Sequence, residues 1–173
     1  MEINRIRFLC LSLLVMMVGI VSAQDVVEIS TVDQLKAFRD AVNSGTSYAG
    51  KTVKLTADLD LQGEDWFPIG YNTMASYPGT AFKGDFDGCN YTISNLKVKS
   101  SEPEYATAGL FGSIASGSIK NLTLKNVDVT STHWAGGIVA YTSNGPTIEN
   151  CKVIGGTIKS TPELLLRSQR RCC

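Results

Sequence analysis

Short stretches of alternating apolar and polar residues follow one another along this chain, separated by turns rich in glycine and asparagine. The clearest is Lys51 to Leu61, in which every second residue is apolar. Successive side chains of a strand point to opposite faces. The sequence therefore predicts one strand over Lys51–Leu61, with Asp58 and Asp60 as neighbours on its outward face.

One pattern is written three times between Ala81 and Ser160. Each copy has an apolar run around a small residue: Gly84, Gly112 and Ala140. A second apolar stretch follows in each copy, beginning at Ile93, Ile119 and Ile148. A period in the high twenties built from short strands is typical of a stacked solenoid, and the equal spacing predicts that the three small residues lie at the same level.

Each second stretch contains a corner. The apolar residues of a pair are three positions apart, as in Ile119 and Leu122, and an odd separation places them on opposite faces of a straight strand. Both are buried only if the chain turns between them. The turn falls at Asn95, Asn121 and Asn150, and asparagine tolerates the left-handed backbone better than other non-glycine residues. We expect the three amides to stack and to hydrogen-bond along the axis.

A third short strand completes each coil, with Val127 and Val129 in one coil and Ile158 in the next. Coils that each add one strand to each sheet form parallel sheets, and crossovers between parallel strands are nearly always right-handed. The predicted fold class is all-β: a right-handed parallel β-helix of about four coils.

A helix precedes the coils. Thr31 and Gln34 have the spacing of a capping box, and Leu35, Phe38 and Val42 fall on one face, with Gly45 as the stop. Because a solenoid must cover the open end of its core, we expect an N-terminal capping α-helix after a short strand over Gln24–Ile29. The alternative is that the apolar stripe faces a partner protein.

The first segment has the features of a secretory signal peptide. Arg5 and Arg7 precede an apolar run from Phe8 to Val21, and small residues lie before Gln24. The run is shorter than the roughly 20 residues of a spanning helix, so cleavage after Ala23 is favoured over a membrane anchor. No membrane span is expected after cleavage.

The predicted domains are residues 1–23 (signal peptide), 24–50 (strand and capping helix), 51–160 (β-helix) and 161–173 (an atypical tail). The tail has no feature of the repeat, and no polar cap follows the last coil. We expect that the chain is the front part of a longer protein, truncated or frameshifted near its end. An amphipathic closing helix is the alternative.

The net charge and the positions of the cysteines say little about the function. Sixteen Lys and Arg balance sixteen Asp and Glu, and no basic stripe suggests nucleic acid. Cys89 and Cys151 are far apart and lack metal-ligand spacing. Cys151 takes the position of Leu96 and Leu122, so free thiols are favoured over a disulfide.

The candidate chemistry is sparse. His133 has no matching nucleophile or acid, and no outward column stacks acids with lysines, so no catalytic residue, cofactor or metal site is predicted. Asp58 and Asp60 suit calcium as a less favoured alternative to a solvated face. Trp66 and Tyr71, together with Tyr77, are weak candidates for stacking on a sugar. The alternative is that they pack over an edge of the solenoid.

The repeat resembles the GLUG motif, named for its Gly-Leu-(any)-Gly core. Gly109-Leu110-Phe111-Gly112 matches this core, Gly137-Ile138-Val139-Ala140 is a conservative variant, and the resemblance covers about residues 29–160. GLUG repeats occur in exported bacterial proteins, including those of Bacteroides-type bacteria, and accompany immunoglobulin A peptidases. The resemblance implies a non-catalytic, exported or cell-surface module for adhesion or spacing. Its partner would be a host or cell-surface glycan or protein.

The alternative function is the front of a larger secreted enzyme, either an immunoglobulin A-type peptidase or a polysaccharide-cleaving β-helix. Its catalytic part would lie beyond residue 160. The HExxH motif of metallopeptidases does not occur in this sequence. The resemblance therefore transfers no catalytic residue to this chain, and its oligomeric state and surface anchoring are left open.

Overall fold

A computed structural model of the protein describes residues 25–72, 79–100 and 106–161. The predicted signal peptide (residues 1–23), Tyr77 and nearly all of the tail lie outside these residues. The strands are β1 (Val26–Ile29), β2 (Thr52–Leu55), β3 (Leu59–Asp60), β4 (Asp85–Asp87), β5 (Thr92–Ser94), β6 (Lys97–Lys99), β7 (Thr107–Ala108), β8 (Phe111–Ile114), β9 (Ser118–Lys120), β10 (Thr123–Ser131), β11 (Trp134–Ala135), β12 (Val139–Thr142), β13 (Thr147–Glu149) and β14 (Lys152–Ser160). The helix is α1 (Val32–Asn43).

The strands form a parallel β-helix. Sheet A has the order β1-β2-β4-β9-β13, and sheet B has the order β14-β10-β5-β3 with β6 also paired to β10. Sheet C is formed by β8 and β12, and β7 pairs with β11. Each of these pairings is parallel, and the strands wind through about four coils. The predicted parallel β-helix is confirmed.

The core is a stack of inward side chains, one layer per coil. In sheet A, Val53 lies level with Phe86, and Phe86 with Ile119. In sheet B, Ile93 lies level with Leu124. All five are fully buried. Removal of this apolar surface from water supplies the main stabilisation of the fold, at roughly 25 cal/mol per Å².

The helix α1 covers the N-terminal end of this core, as predicted. Thr31 Oγ1 accepts a hydrogen bond from the Gln34 backbone, and Gln34 Oε1 accepts one from the Thr31 backbone, which forms the capping box. The buried face carries Leu35, Phe38 and Val42. The Phe38 ring meets the ring of Phe82 edge-on, with centroids 5.5 Å apart. The helix thereby joins its apolar stripe to the solenoid core.

The corner prediction is right about the backbone and wrong about the register. Asn95, Asn121 and Asn150 have φ values of 58°, 54° and 50°, all left-handed. However, Ile93 pairs with Leu124 rather than with Ile119, so Asn95 lies level with Asn126, not with Asn121. The structure therefore has two different corner columns where the sequence suggested one.

The small-residue column is also corrected. Gly112 and Ala140 do stack in sheet C, because Phe111 pairs with Val139. Gly84 lies elsewhere: its carbonyl accepts a hydrogen bond from Ser118, at the entry to sheet A. The first member of the column is Gly70, which the bridge between Ile69 and Phe111 places opposite Gly112.

The stretch from Lys51 to Leu61 is two strands, β2 and β3, rather than one. The faces are as predicted at most positions: Val53, Leu55, Leu59 and Leu61 are buried, and Asp58 and Asp60 are exposed. Ala57 is half-buried. The chain turns a corner between Leu55 and Leu59. Alternation indicated which residues face inward, but it did not reveal the turn.

The two described cysteines, Cys89 and Cys151, are free thiols, as predicted. Cys151 lies level with Leu122, since Lys152 pairs with Thr123. It is half-buried and donates a hydrogen bond to the Glu149 carbonyl over 3.2 Å. Burial raises the pKa of the Cys151 thiol. In the described part of the chain, no helix combines the length and apolar character of a membrane span.

Candidate binding groove

A groove of about 480 Å³ runs beside the C-terminal end of α1, along the outside of sheet C. We call it the hydroxyl groove, because hydroxyl-bearing residues from several coils line it. Its lining residues are Val42, Gly45, Ser47, Gly79, Thr80, Ala81, Lys83, Ser113, Ala115, Tyr141, Ser143 and Asn144. No carboxylate is among them, so Lys83 gives the groove a positive character.

Coil stacking brings these distant residues together. Tyr141 of β12 lies level with Ser113 of β8, and Ser143 is held by its backbone N–H, which donates to the Ile114 carbonyl over 2.9 Å. On the opposite side, the Lys83 backbone N–H donates to the Ser47 carbonyl over 2.8 Å. This bond ties the loop after α1 to the second coil and fixes one wall of the groove.

An aromatic cluster adjoins the groove at Tyr141. The rings of Trp134 and Tyr141 have centroids 5.6 Å apart, and the His133 ring lies 5.9 Å from Trp134. Trp134 is 37% exposed, whereas most other large apolar side chains of the first three coils are buried. The ring of Trp134 is therefore accessible beside a surface of hydroxyl and amide groups.

This combination suits a hydroxyl-rich ligand. Binding sites typically combine apolar and aromatic surface with a few polar groups that fix orientation. Here, Tyr141, Ser143 and Asn144 supply donors and acceptors, and the Trp134 ring supplies an apolar face with a polar N–H. A saccharide has the matching pattern, since its C–H groups form an apolar face and its hydroxyls are both donors and acceptors.

The sequence-based ligand contact at Trp66 is corrected. Trp66 is only 3% exposed, and its Nε1 donates to the Leu110 carbonyl over 3.2 Å. The Arg39 guanidinium lies 4.8 Å from the centre of the indole ring. Trp66 therefore has no free ring face for a sugar, and it packs the first coil against the second. Packing was the alternative that the sequence left open.

Tyr71 lies apart from the hydroxyl groove. It is half-buried, and its ring meets Phe67 edge-on with centroids 5.0 Å apart. It begins an excursion in which Tyr71 pairs antiparallel with Thr80. This excursion interrupts the first-coil counterpart of β8. The role of Tyr71 in binding stays a prediction.

Comparison with known proteins fits this architecture. Residues 134–159 match the family model of the GLUG motif. The chain carries a GLUG repeat. The matched residues include Trp134, Tyr141 and the conservative variant Gly137–Ala140, so the resemblance seen in the sequence is confirmed.

Two known proteins are similar to a larger part of the chain than the GLUG model matches. Halomucin of Haloquadratum walsbyi is 35% identical over 134 residues, which is 72% of this chain but 1% of halomucin. A solved structure of a proposed immunoglobulin A1 protease from Bacteroides ovatus matches with a TM-score of 0.57 and 23% identity, over 74% of this chain and 37% of that one. The structural match shows a shared fold. The chain spans a small part of each relative.

The outward pair Asp58 and Asp60 takes part in structural hydrogen bonds. Asp58 Oδ1 accepts from the Thr92 backbone over 2.7 Å. Asp60 Oδ1 accepts from Asn95 Nδ2 and from the Gln62 backbone, each over 2.8 Å. These bonds, the one from Asn95 first, lower the pKa of Asp60 below its ordinary value. The described residues contain no group of three or more His, Cys, Asp or Glu side chains arranged to hold a metal ion.

Sheet A carries a charged column that sequence reasoning missed. The pairings of sheet A place five residues level along its outer face, with alternating charge. They are Glu28, Lys54, Asp87, Lys120 and Glu149. The expectation that no outward column stacks acids with lysines is therefore wrong. Its members come from five strands at unequal sequence separations, so only the correct register reveals it.

Two acidic side chains of this region accept hydrogen bonds from residues of the next coil. Asp85 Oδ1 accepts from Ser118 Oγ over 2.6 Å, and Asp87 Oδ1 accepts from Asn121 Nδ2 over 2.9 Å. Burial alone would raise the pKa of Asp87. Hydrogen bonds from Asn121 and from the Cys89 backbone, with Lys120 nearby, lower it overall. A shallow depression of about 330 Å³ lies over these residues.

Sequence reasoning did not identify the hydroxyl groove. Neither Tyr141 nor Trp134 is among the candidate ligand contacts that the sequence suggests. The available signal is that Tyr141 stands at the position that Ser113 holds one coil earlier. A tyrosine at a position where the preceding coil has a serine indicates a surface role, because the larger side chain reaches further from the sheet.

Proposed function

We propose that this chain is a non-catalytic, exported β-helix module that binds a glycan at a cell surface. The observation that carries the proposal is the exposed Trp134 ring, which packs against half-buried Tyr141 beside the hydroxyl groove. The predicted signal peptide and the similarity to halomucin support export. The aromatic pair favours adhesion over a purely spacing role, because a spacer needs no exposed tryptophan.

The hydrogen bonds of the two aspartates of β4 support a non-catalytic role. Asp85 and Asp87 each accept a hydrogen bond from the next coil, which holds the carboxylates in structural positions. The lowered pKa of Asp87 makes its carboxylate a weaker base than an ordinary aspartate. Neither group faces the hydroxyl groove, so the groove has binding groups without an adjacent acid.

The test is a glycan array followed by titration calorimetry, using the mature chain from Gln24. Trp134→Ala and Tyr141→Ala should each weaken binding by about tenfold or more, since each removes an aromatic contact. Lys125→Ala, on the outer face of sheet B, is the matched control and should bind normally. Tyr71→Ala tests the residue suggested by the sequence.

Absence of binding to any glycan on the array, with the chain shown to be folded, would contradict adhesion and leave a spacing role. Binding that survives both aromatic substitutions would place the ligand away from the groove. Loss of binding in Tyr71→Ala alone would move the site to the excursion beside Phe67.

The alternative, the front of a larger secreted enzyme, has one observation in its favour. Lys54, Asp87 and Lys120 stack over the shallow depression on sheet A, and β-helix enzymes that cleave polysaccharides place acids and basic groups on one sheet. Incubation of this chain with acidic polysaccharides and with immunoglobulin A, followed by product analysis, tests it. Cleavage that is abolished by Asp87→Asn would replace the adhesion proposal.

A further inference from the structure

The charge of the hydroxyl groove comes from a lysine. Among the described residues that line the groove, Lys83 alone is ionised at neutral pH, and it is exposed. It takes part in none of the ion pairs formed by the described residues. Asp85, two positions further along the chain, accepts a hydrogen bond from Ser118 and lines the separate depression on sheet A. The positive charge of Lys83 is therefore not neutralised within the groove.

The stacking of coils leaves space beside this lysine. The bridge at Phe82 and the pairing of β8 with β12 place Lys83, Ala115 and Ser143 at the same position of three successive coils. Neighbouring coils lie about 4.8 Å apart, so roughly 10 Å separates the levels of Lys83 and Ser143. Ala115 fills only part of the level between them, because its side chain is a methyl group. The lysine and the serine therefore stand on either side of a gap.

The backbone holds Lys83 in place at this wall of the groove. Its N–H donates to the Ser47 carbonyl over 2.8 Å, and its carbonyl accepts from Ser116 Oγ over 3.4 Å. Ser47, which also lines the groove, adds a hydroxyl that can donate beside the ammonium. This wall belongs to the loop after α1 and to the second coil, and described residues of two further coils are stacked beyond it.

We propose that the hydroxyl groove selects an anionic saccharide, with the Lys83 ammonium donating to a carboxylate or sulfate group of the sugar. This inference rests on the proposed glycan binding and names the class of glycan. A cleft lined by one sign of charge concentrates ligands of the opposite sign. Lysine is a compact point charge without the planar fork of arginine, so either acidic group satisfies it. In this arrangement the sugar ring lies toward Tyr141 and Trp134.

The test uses matched oligosaccharides that differ only in charge. Tetrasaccharides of β-1,4-mannuronate, α-1,4-galacturonate and β-1,4-glucuronate are compared with the neutral forms obtained by reducing each carboxylate to a primary alcohol. Sulfated derivatives of the neutral forms make the third arm and distinguish sulfate from carboxylate. Titration calorimetry with the mature chain should give, in at least one set, an acidic form that binds about fivefold more tightly than its neutral form. This preference should shrink as salt is added.

Substitutions of Lys83 then assign the preference to its charge. Lys83→Gln should remove the preference while binding of the neutral form changes by less than about twofold. Lys83→Arg keeps the charge and should keep the preference, which separates an electrostatic effect from a folding defect. Lys125→Gln, on the outer face of sheet B, removes the same charge elsewhere and should leave the preference intact.

The outcomes separate this inference from the proposed function on which it rests. If the neutral forms bind as tightly as the acidic forms, and Trp134→Ala weakens both, the inference is overturned while glycan binding stands. A preference that persists in Lys83→Gln also overturns it and places the anion elsewhere on the chain. If no oligosaccharide binds to the folded chain, here or on the glycan array, both are overturned.

Discussion

Asn150 donates a hydrogen bond from its Nδ2 to Oδ1 of Asn121, one coil earlier, over 2.7 Å. Asn121 in turn donates from Nδ2 to Asp87 Oδ1 over 2.9 Å. A carboxylate can only accept, so Asp87 requires the NH₂ group of Asn121 and leaves the Asn121 oxygen for the next coil. One aspartate therefore sets the direction of every bond in this column.

A second column repeats the arrangement at the other corner. Asn95 donates from Nδ2 to Asp60 over 2.8 Å, and Asn126 donates to Asn95 Oδ1 over 3.4 Å. The next position is Gly155, which keeps the left-handed backbone with φ 72° but has no side chain to continue the bonds. Both columns begin at an aspartate on the N-terminal side, and this common direction fixes the stacking of coils at the corners.

Asn121→Ala should lower the free energy of unfolding by about 2–3 kcal/mol, through a strained left-handed alanine and the loss of two hydrogen bonds. Asn121→Gly is the control, because glycine accepts the backbone angle and loses only the bonds. It should cost about 1 kcal/mol less than alanine. Urea unfolding measures both. Equal losses for the two variants would show that backbone strain at Asn121 contributes little.

Gly112→Ala should lower the free energy of unfolding by about 1–3 kcal/mol through overpacking in sheet C. A Cβ at Gly112 would meet the Gly70 carbonyl, and it would also lie 2.8 Å from Pro68 Cβ. Ala140 occupies the same column one coil later, so Ala140→Gly is the matched control and should cost less than about 1 kcal/mol. Thermal unfolding compares them. An unchanged free energy of unfolding in Gly112→Ala would mean that the first coil can move away from Gly112 and make room for the methyl group.

Phe38→Ala should lower the free energy of unfolding by about 3–5 kcal/mol, because it opens a cavity between α1 and the core. The Phe38 ring contacts Tyr48 at 4.9 Å and Phe86 at 6.0 Å between centroids. Lys36→Ala, which removes the ion pair between Lys36 and Glu64 on the same helix, should lower the free energy of unfolding by less than about 1 kcal/mol. Similar, small losses from both in urea unfolding would show that α1 packs only loosely on the solenoid.

Local patterns predicted the elements well. The capping box at Thr31 and the stripe through Phe38 predicted α1, since both signals act within one or two helical turns. The odd spacing of apolar pairs predicted corners at asparagines, and the left-handed φ values of Asn95, Asn121 and Asn150 confirm it. These inferences needed only neighbouring residues, so the missing register did not affect them.

The register required information that equal spacing does not contain. The corner between β4 and β5 holds residues 88–91, whereas the corner between β9 and β10 holds only residues 121–122. The second coil thus has two additional residues at this corner, and the excursion from Tyr71 to Thr80 lengthens the first. Gly84 and Gly112 are spaced like Gly112 and Ala140, but this equality is a coincidence and does not place them on one column.

The candidate site was harder to predict for the same reason. Its walls come from Ser47, Lys83 and Tyr141, which lie far apart in the sequence and meet only when the coils are in register. Trp66 and Trp134 are both aromatic residues in irregular or short segments, and composition does not distinguish them. Their burial distinguishes them: Trp66 fills a gap between coils, whereas Trp134 is exposed.

Acid should weaken the corner columns. Asp87 has a pKa below its ordinary value of about 3.9 in the folded chain. A carboxylate with a lowered folded-state pKa contributes stability that is fully present well above that ordinary value. This contribution is lost as the pH falls through the ordinary value and then through the folded-state pKa, because protons bind the unfolded state first. Asp60, with a pKa shifted in the same direction, adds to the trend.

The free energy of unfolding should therefore fall from about pH 5 downward, and Asp87→Asn should make that fall shallower. The asparagine oxygen still accepts from Asn121, but the side chain no longer titrates. Urea unfolding at several pH values between about 2.5 and 7 measures the slopes. Asp128→Asn, on the outer face of sheet B and outside both columns, controls for the loss of one negative charge. If Asp87→Asn and the native chain lose stability in parallel, Asp87 does not couple protonation to the coil stack.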